Sequence, residues 1–309
     1  MTVALYDGKK HTEYHFDSND EKAGKEIIKL LGNDTGESLV TMEASGVYHL
    51  RLAVLLYSKG IKISVVNPLV IKRYAQMKMV RAKTDRVDAR IIAEYGYTQE
   101  PFMFMPKSDT LKRVTLYLKG IDDLLKTKNQ ITNRLEALSR QSCKCEDLNK
   151  SFKKLVEQIN HEIKQLEEKI KSLVKQEYEE TYNRLKEIEG VGERVSICII
   201  GHFGNFENFE SPKQVASYIG INPAPYESGT SVKRRGHISK KGSPYIRTML
   251  FLASLSASIY NLQCKELYER LINNGKPKKV ALIAVANKLI RQIFVIVKYG
   301  RQYDPEYKL

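Results

Sequence analysis

The sequence predicts an α/β domain followed by a predominantly α-helical remainder. Three observations carry that expectation. Short β-rich runs alternate with helical patterns over the first hundred residues, apolar residues then recur at spacings of three and four in a stretch almost without glycine, and glycines return from about residue 181. With 309 residues the chain exceeds one typical core. The expected division is 1–105, 106–180 and 181–309.

Taken in order, VALY, Asp7-Gly8 and HTEYHF read as a hairpin, because Asp-Gly supplies the positive φ that a tight turn requires. A helical stretch near 20–32 follows, then the strand ESLVTME, a helix over 47–59 closed by Gly60, and the strand IKISVVN. Pro68 opens the next helix, where a missing N–H is no loss. The last helix of this part runs through 84-TDRVDARIIAEYG-96. Beyond Pro106, Leu111, Leu118, Leu125 and Leu135, then Leu155, Ile159, Ile163, Leu166, Ile170 and Leu173, mark two long amphipathic helices. Such helices pair as a coiled coil, whose plainest role is a spacer or a dimerisation arm. The remainder reads as a compact helical domain holding the densest basic loop of the protein, with RQYDPEYKL as a surface tail.

Charge narrows the partner. The 51 Lys+Arg against 36 Asp+Glu leave a formal +15, which favours a polyanion. The longest apolar run considered, 249-MLFLASLSASIYNL-262, falls short of the roughly 20 residues that a membrane span needs. With no signal-peptide pattern at the start, nucleic acid in the cytoplasm is the expected partner, and no membrane. The four cysteines, Cys143, Cys145, Cys198 and Cys264, form no CxxC pair and have no histidine at ligand spacing, so zinc and a disulfide framework are both unsupported.

Chemistry has three candidate locations. Glu43 ends a predicted strand, while Asp85 and Asp88 lie three apart on a predicted helix and so face one side, with Lys83 beside them. Three carboxylates suit Mg²⁺, which takes hard oxygen ligands; Asp near a helix start also complements the dipole, and a strand-end Glu is commonly just solvated. In 228-SGTSVKRRGHISKKGSPYIR-247, Lys233, Arg234, Arg235, Lys240, Lys241 and Arg247 stand without one acidic residue, as phosphate contacts do. Ser228 in front of Gly229 reads as an exposed nucleophile among cations or as an ordinary Ser-Gly turn. In 185-LKEIEGVGERVS-196, Gly190 and Gly192 read either as a phosphate-binding turn of helix-hairpin-helix type or as a helix stop. Phe203, Phe206 and Phe209 fit core positions better than base-stacking ones.

Six segments in this order resemble the DEDD-class insertion-sequence transposases, the family of Piv-like DNA invertases and bridge-RNA-guided recombinases. They are 42-MEASGVYHLRLAVLLYSKG-60, 65-VVNPLVIKRYAQ-76, 81-RAKTDRVDARIIAEYG-96, 188-IEGVGERVS-196, 217-SYIGINPAPYESGTSVKRRGHISKKGSPYIR-247 and 275-GKPKKVALIAVANKLIR-291. The resemblance implies a RuvC-like, RNase H-type front domain whose four acidic residues bind Mg²⁺, a coiled-coil linker, and a transposase domain bearing a serine nucleophile. By motif, Glu43 is the second acidic residue, Asp85 the third, Asp88 the fourth, and Ser228 in 227-ESG-229 the serine. It also implies a homodimer or homotetramer, DNA partners at the element ends and target, and a guide RNA.

The family's first Asp stands on a strand ahead of the segment that corresponds to TVALYDGKK, so the front domain is expected to lack its first strand and that ligand. Asp7 has its own explanation at a hairpin tip. Three functions follow as expectations: an Mg²⁺-dependent serine transposase, a nuclease or junction resolvase of the RNase H type that needs no serine, and a truncated or decayed copy that only binds nucleic acid.

Overall fold

A computed structural model describes all residues but 17–19, 33–35, 45, 47, 144, 229–231, 240, 241 and 307–309. The chain is mostly helical with small sheets, and it divides into two compact units, Met1–Pro106 and Lys107–Leu309.

In the first unit β1 (Thr2–Tyr6) and β2 (His11–His15) form the expected antiparallel hairpin. At its tip the Asp7 carboxylate accepts from the N–H groups of Lys9 and Lys10 at 2.8 and 2.7 Å. Those bonds hold its pKa below the usual carboxylate value. After α1 (Asp20–Leu31), β3 (Leu39–Glu43) pairs in parallel with β4 (Lys62–Val66), from Leu39↔Lys62 to Glu43↔Val66. A parallel pair needs a crossover, and α2 (Tyr48–Ser58) supplies it. Leu52, Ala53 and Leu56 of α2 form one apolar cluster with Ile27, Ile61 and Ile63.

Asn67 caps α3 (Pro68–Met77) by accepting from Leu69 N–H at 2.8 Å, with Pro68 at the first helical position as expected. Thr84 caps α4 (Asp85–Thr98) by accepting from Val87 N–H at 3.3 Å. A second cluster joins Val66, Ile71, Tyr74 and Ile91. Among the described residues no ladder connects β1–β2 to β3–β4; instead α4 packs against β1, β2 and β3. A Cβ on Gly96 of α4 would stand 2.0 Å from Thr41 Oγ1 and 3.0 Å from Thr41 Cβ, so only glycine lets the helix lie this close to β3.

In the second unit α5 (Asp109–Ser139) and α6 (Glu146–Glu187) run antiparallel, with Ser108 at the start of α5 meeting Tyr178 late in α6 at 3.3 Å. Their near ends are buried through Leu111, Val114, Leu118, Ile170, Val174 and Leu185, in one core with the helices that follow. The near halves of α5 and α6 thus lie in the second compact unit, which begins at Lys107. At those near ends the side chains that pair the helices also belong to the rear core. Between Ile121 and Ile163 none of the described residues is buried.

The rear core is completed by α7 (Glu193–Phe203), α8 (Pro212–Ile219), α9 (Pro244–Tyr260), α10 (Leu262–Asn273) and α11 (Lys278–Tyr299). Phe203 and Phe206 are buried and stacked at 5.1 Å, as core residues. Helix α11 departs from the expectation that apolar runs are too short for a membrane. Its 22 residues pass by length and composition, yet 61% of the most apolar window is buried inside the protein. A second departure is a hairpin, β5 (Pro223–Ser228) and β6 (Val232–Ile238), where the sequence suggested a basic loop. Cys198 and Cys264 are buried, their thiols pushed up to about 12 by burial, while Cys143 and Cys145 are exposed.

Candidate functional site

Glu43 is the last residue of β3, half-buried, opposite Val66 in the ladder, and the chain leaves it through Ala44, whose N–H donates to the Val66 carbonyl at 2.9 Å. Val87 and Ile91 of α4 pack in the cluster that contains Val66, and Gly96 further along lies on Thr41. The first turns of α4 are thereby brought to the carboxyl end of β3–β4. That is the turn carrying Asp85, exposed, and Asp88, half-buried.

The neighbouring cations do not neutralise these acids. Arg86 and Arg90, on the same helix, both reach Glu13 of β2, Arg86 at 3.7 Å and Arg90 in a direct hydrogen bond. Among the described residues Glu43, Asp85 and Asp88 enter no ion pair, and Lys83 is exposed in the segment before α4. Three uncompensated carboxylates are the donor chemistry that a hard divalent cation takes. Among the described residues, however, no three His, Cys, Asp or Glu side chains are gathered closely enough to hold a metal. The acids share an end of the fold and do not form a closed cage. The clamp on Glu13 was invisible in the sequence, since its partner Arg90 is 77 residues away and no local pattern links them.

In the second unit, Ser228 closes β5 opposite Val232, and Lys233, Arg234 and Arg235 continue β6 from there. The sequence-predicted cations Lys240 and Lys241, like Gly229 and Ser231, lie outside the described residues. Arg247 has a different use. Its Nη1 donates to the carbonyls of Ile219 at 3.0 Å and Gly242 at 2.6 Å, so this guanidinium ties the start of α9 to the end of α8.

Gly190 takes φ +93°, and a Cβ there would meet Ala257 Cα and N at 2.7 and 2.8 Å, so both the backbone conformation and the close approach of α9 require glycine. Gly192 then starts α7 with no side chain capping it, which leaves the first-turn N–H groups without a capping partner. Glu193 and Arg194 turn instead to α6, pairing with Lys171 at 3.0 Å and Glu167 at 2.8 Å. The turn borders a surface depression of about 550 Å³, lined also by Lys186, Glu187, Glu189, Arg194, Met249 and Leu252. Uncapped N–H donors at a concave surface suit an anionic backbone, although Glu187 and Glu189 offset the charge of Lys186 and Arg194 there.

Comparison with known proteins adds an independent line. Residues 182–269 match the family described as "Transposase IS116/IS110/IS902 family", and residues 2–144 match a second family, a DEDD transposase of the IS110 type. The chain is 30% identical over 269 residues to the pilin gene-inverting proteins of Moraxella bovis and Moraxella lacunata, covering 85% of this chain and 81% of each of them. It is 24% identical over 272 residues to the transposase for insertion sequence element IS1111A of Coxiella burnetii, covering 79% of this chain and 73% of that one.

Proposed function

The chain belongs to the IS116/IS110/IS902 family of DEDD transposases, and from that premise we propose that it cuts and rejoins DNA with Ser228 as nucleophile and with Mg²⁺ drawn to the end of the fold that carries Glu43, Asp85 and Asp88. Bound there, the cation would polarise a scissile phosphate. The protein's own part begins with the carboxylates, which bring negative charge to one end of β3–β4 and α4 without spending it on local cations. Ser228 Oγ attacks phosphorus and forms an Oγ–P bond as the P–O bond to the departing strand breaks; the serine proton ends on the released hydroxyl. In rejoining, a strand hydroxyl attacks the same phosphorus and returns the proton to serine. The phosphoester keeps the energy of the broken bond, so no nucleotide cofactor is consumed.

The observation that carries the reading is the register of the β5–β6 hairpin. Ser228 pairs with Val232, so three consecutive cations, Lys233 to Arg235, begin one residue past the serine's ladder partner. Cations next to a nucleophile suit a reaction at phosphate, where negative charge must be drawn in and stabilised. The Gly190–Gly192 turn serves as a second, sequence-independent phosphate contact. Partners in this reading are DNA, a guide RNA and further copies of the chain, with the front unit in an RNase H-like role and α5–α6 as a coiled-coil arm.

Ser228→Ala tests it. The variant is expected to lose strand transfer and any covalent protein–DNA adduct while retaining DNA binding, with Ser231→Ala and Ser239→Ala as controls of small effect. Adduct formation that survives in Ser228→Ala and vanishes in Ser231→Ala would assign the chemistry to the other serine. Cleavage unchanged in all three would favour a water-using nuclease.

A further inference from the structure

Helix α9 is buried on one side only. Ile246, Leu250, Ala253, Ser254 and Ala257 are covered where it packs against α7, α10 and α11. On the opposite side Leu252 and Ile259 are 50 and 60% exposed, Leu255 lies exposed between them, and Tyr260 and Leu262 prolong the patch. Spacings of three and four place Leu252, Leu255 and Ile259 in one line along the helix, the seam by which paired helices interlock. Single exposed apolar side chains are ordinary, whereas a contiguous row marks a contact surface.

The chemistry of the row says what covers it. From Thr248 to Cys264 the chain holds no charged residue, in a protein with a formal +15. A nucleic acid would need cations here, and a helix lying on a membrane carries Lys and Arg beside its apolar face. The hydroxyls of Thr248 and Ser258 are also turned inward: Thr248 donates to the Pro244 carbonyl at 3.1 Å and Ser258 to the Leu255 carbonyl at 2.9 Å, both within α9. A dry, neutral, apolar surface fits another of the same kind. Two copies of a chain with this excess repel wherever their cations face each other, so a contact between copies needs a neutral face. Among the described residues α9 is the only helix that exposes three large aliphatic side chains at this spacing.

We propose that the exposed face of α9 pairs with the same face of a second copy, antiparallel about a two-fold axis near Leu255. An antiparallel crossing sets the amino end of each helix against the carboxyl end of the other, as their dipoles favour, and a two-fold contact uses one patch twice. This rests on the reading above, in which further copies of the chain are partners, and names the face through which they meet. Leu252 also lines the depression beside the Gly190 turn, so pairing sets one such turn on each flank of the interface.

A single helix face buries less than the roughly 800 Å² per partner of a standard interface, so the expected Kd lies in the micromolar range. Sedimentation velocity of the full chain, free of nucleic acid, should show a reversible monomer–dimer equilibrium across that range. Leu255→Glu with Ile259→Glu should leave a monomer at every concentration, with the helical circular dichroism of the unsubstituted chain, since both positions are exposed. Leu255→Lys with Ile259→Lys should do the same. Mixing the two variants should restore a dimer of one copy each, because opposite charges then face across the axis. That rescue separates lost pairing from a damaged fold. Leu155→Glu, on the α5–α6 arm, should leave the dimer unchanged. A chain that stays monomeric throughout overturns the proposal, as does a dimer that survives the glutamate variant or dissolves with Leu155→Glu alone. Two monomeric variants that ignore each other when mixed overturn it as well. None of these readouts involves DNA, so failure here leaves the cutting reaction untouched, and loss of the Ser228 chemistry leaves the pairing untouched.

Discussion

At Gly96 a hydrogen in place of a methyl group decides how closely α4 can lie on β3, and through it where the first turn of that helix carries Asp85 and Asp88. Gly96→Ala should destabilise the first unit by about 1–3 kcal/mol, the usual cost of forcing a methyl into packed space. Pairing it with Thr41→Ala should recover part of the loss, because the clash is with the threonine side chain. Denaturant midpoints of the two single variants and the double variant check this, and strict additivity would show that the two residues do not meet. A second residue reports on pH. His202, half-buried, donates through Nδ1–H to the Cys198 carbonyl at 2.9 Å. Burial lowers its pKa below the ordinary 6.5; the Cys198 bond opposes that shift and nearby Lys107 adds to it. The unfolded chain takes up a proton as pH falls through 6.5 while the folded imidazole stays neutral, so the unfolded state binds more protons. Stability is therefore complete above the unfolded value and lost as pH falls toward the folded one. His202→Gln should flatten the acid side of the stability–pH curve, and a curve unchanged by the substitution would place the acid sensitivity elsewhere.

Elements divide by whether their signal is local. The Asp-Gly turn and Pro68 at the start of a helix are short-range devices, and the structure agrees with the sequence reading at both; the Asn67 and Thr84 caps are equally local. The β5–β6 hairpin escaped because two prolines, Pro223 and Pro225, and Gly236 argue against a strand, which is true of a central strand and not of an isolated pair with free edges. Helices α5 and α6 were legible by period, but their period does not say which turns are covered. The near turns meet the rear core and the far turns do not, which sets a gradient along the pair. Ile170→Ala, at 1% exposure, should cost about 2–5 kcal/mol, whereas Leu155→Ala, at 45%, should cost less than about 1 kcal/mol. Backbone hydrogen exchange should show the same order, with the turns around 135 and 155 exchanging well before those around 114 and 174. Uniform protection along both helices would mean that something covers the far turns in solution.

For the whole molecule, the charge excess was legible from composition alone, and it makes a direct demand. Binding of the chain to DNA should weaken steeply with salt, through release of counterions, and affinity that stays flat from low to physiological salt would remove the electrostatic basis of the interface. The strand that ends in Glu43 and the helix that carries Asp85 and Asp88 were legible through period, but the packing of that helix on the strand was not. It depends on Gly96 against Thr41 and on the diversion of Arg86 and Arg90 to Glu13, contacts between residues far apart in the chain. The same separation into local and distant contacts governs stability. The first unit has clusters of six and four buried apolar residues and two sheets of two strands each among the described residues, whereas the second has one continuous core reaching from Leu111 to Val297. Two-stranded sheets and small cores are marginal on their own, so the first unit should unfold at the lower temperature. Calorimetry of the full chain should resolve two transitions. Leu56→Ala, which empties a fully buried position in the first unit, should lower only the first, by about 10 °C or more for a domain of this size. Ile200→Ala, equally buried in the second, should lower only the later one, and by fewer degrees because the larger unit has the larger unfolding entropy. A single transition displaced by both substitutions would show instead that the two units unfold as one cooperative body.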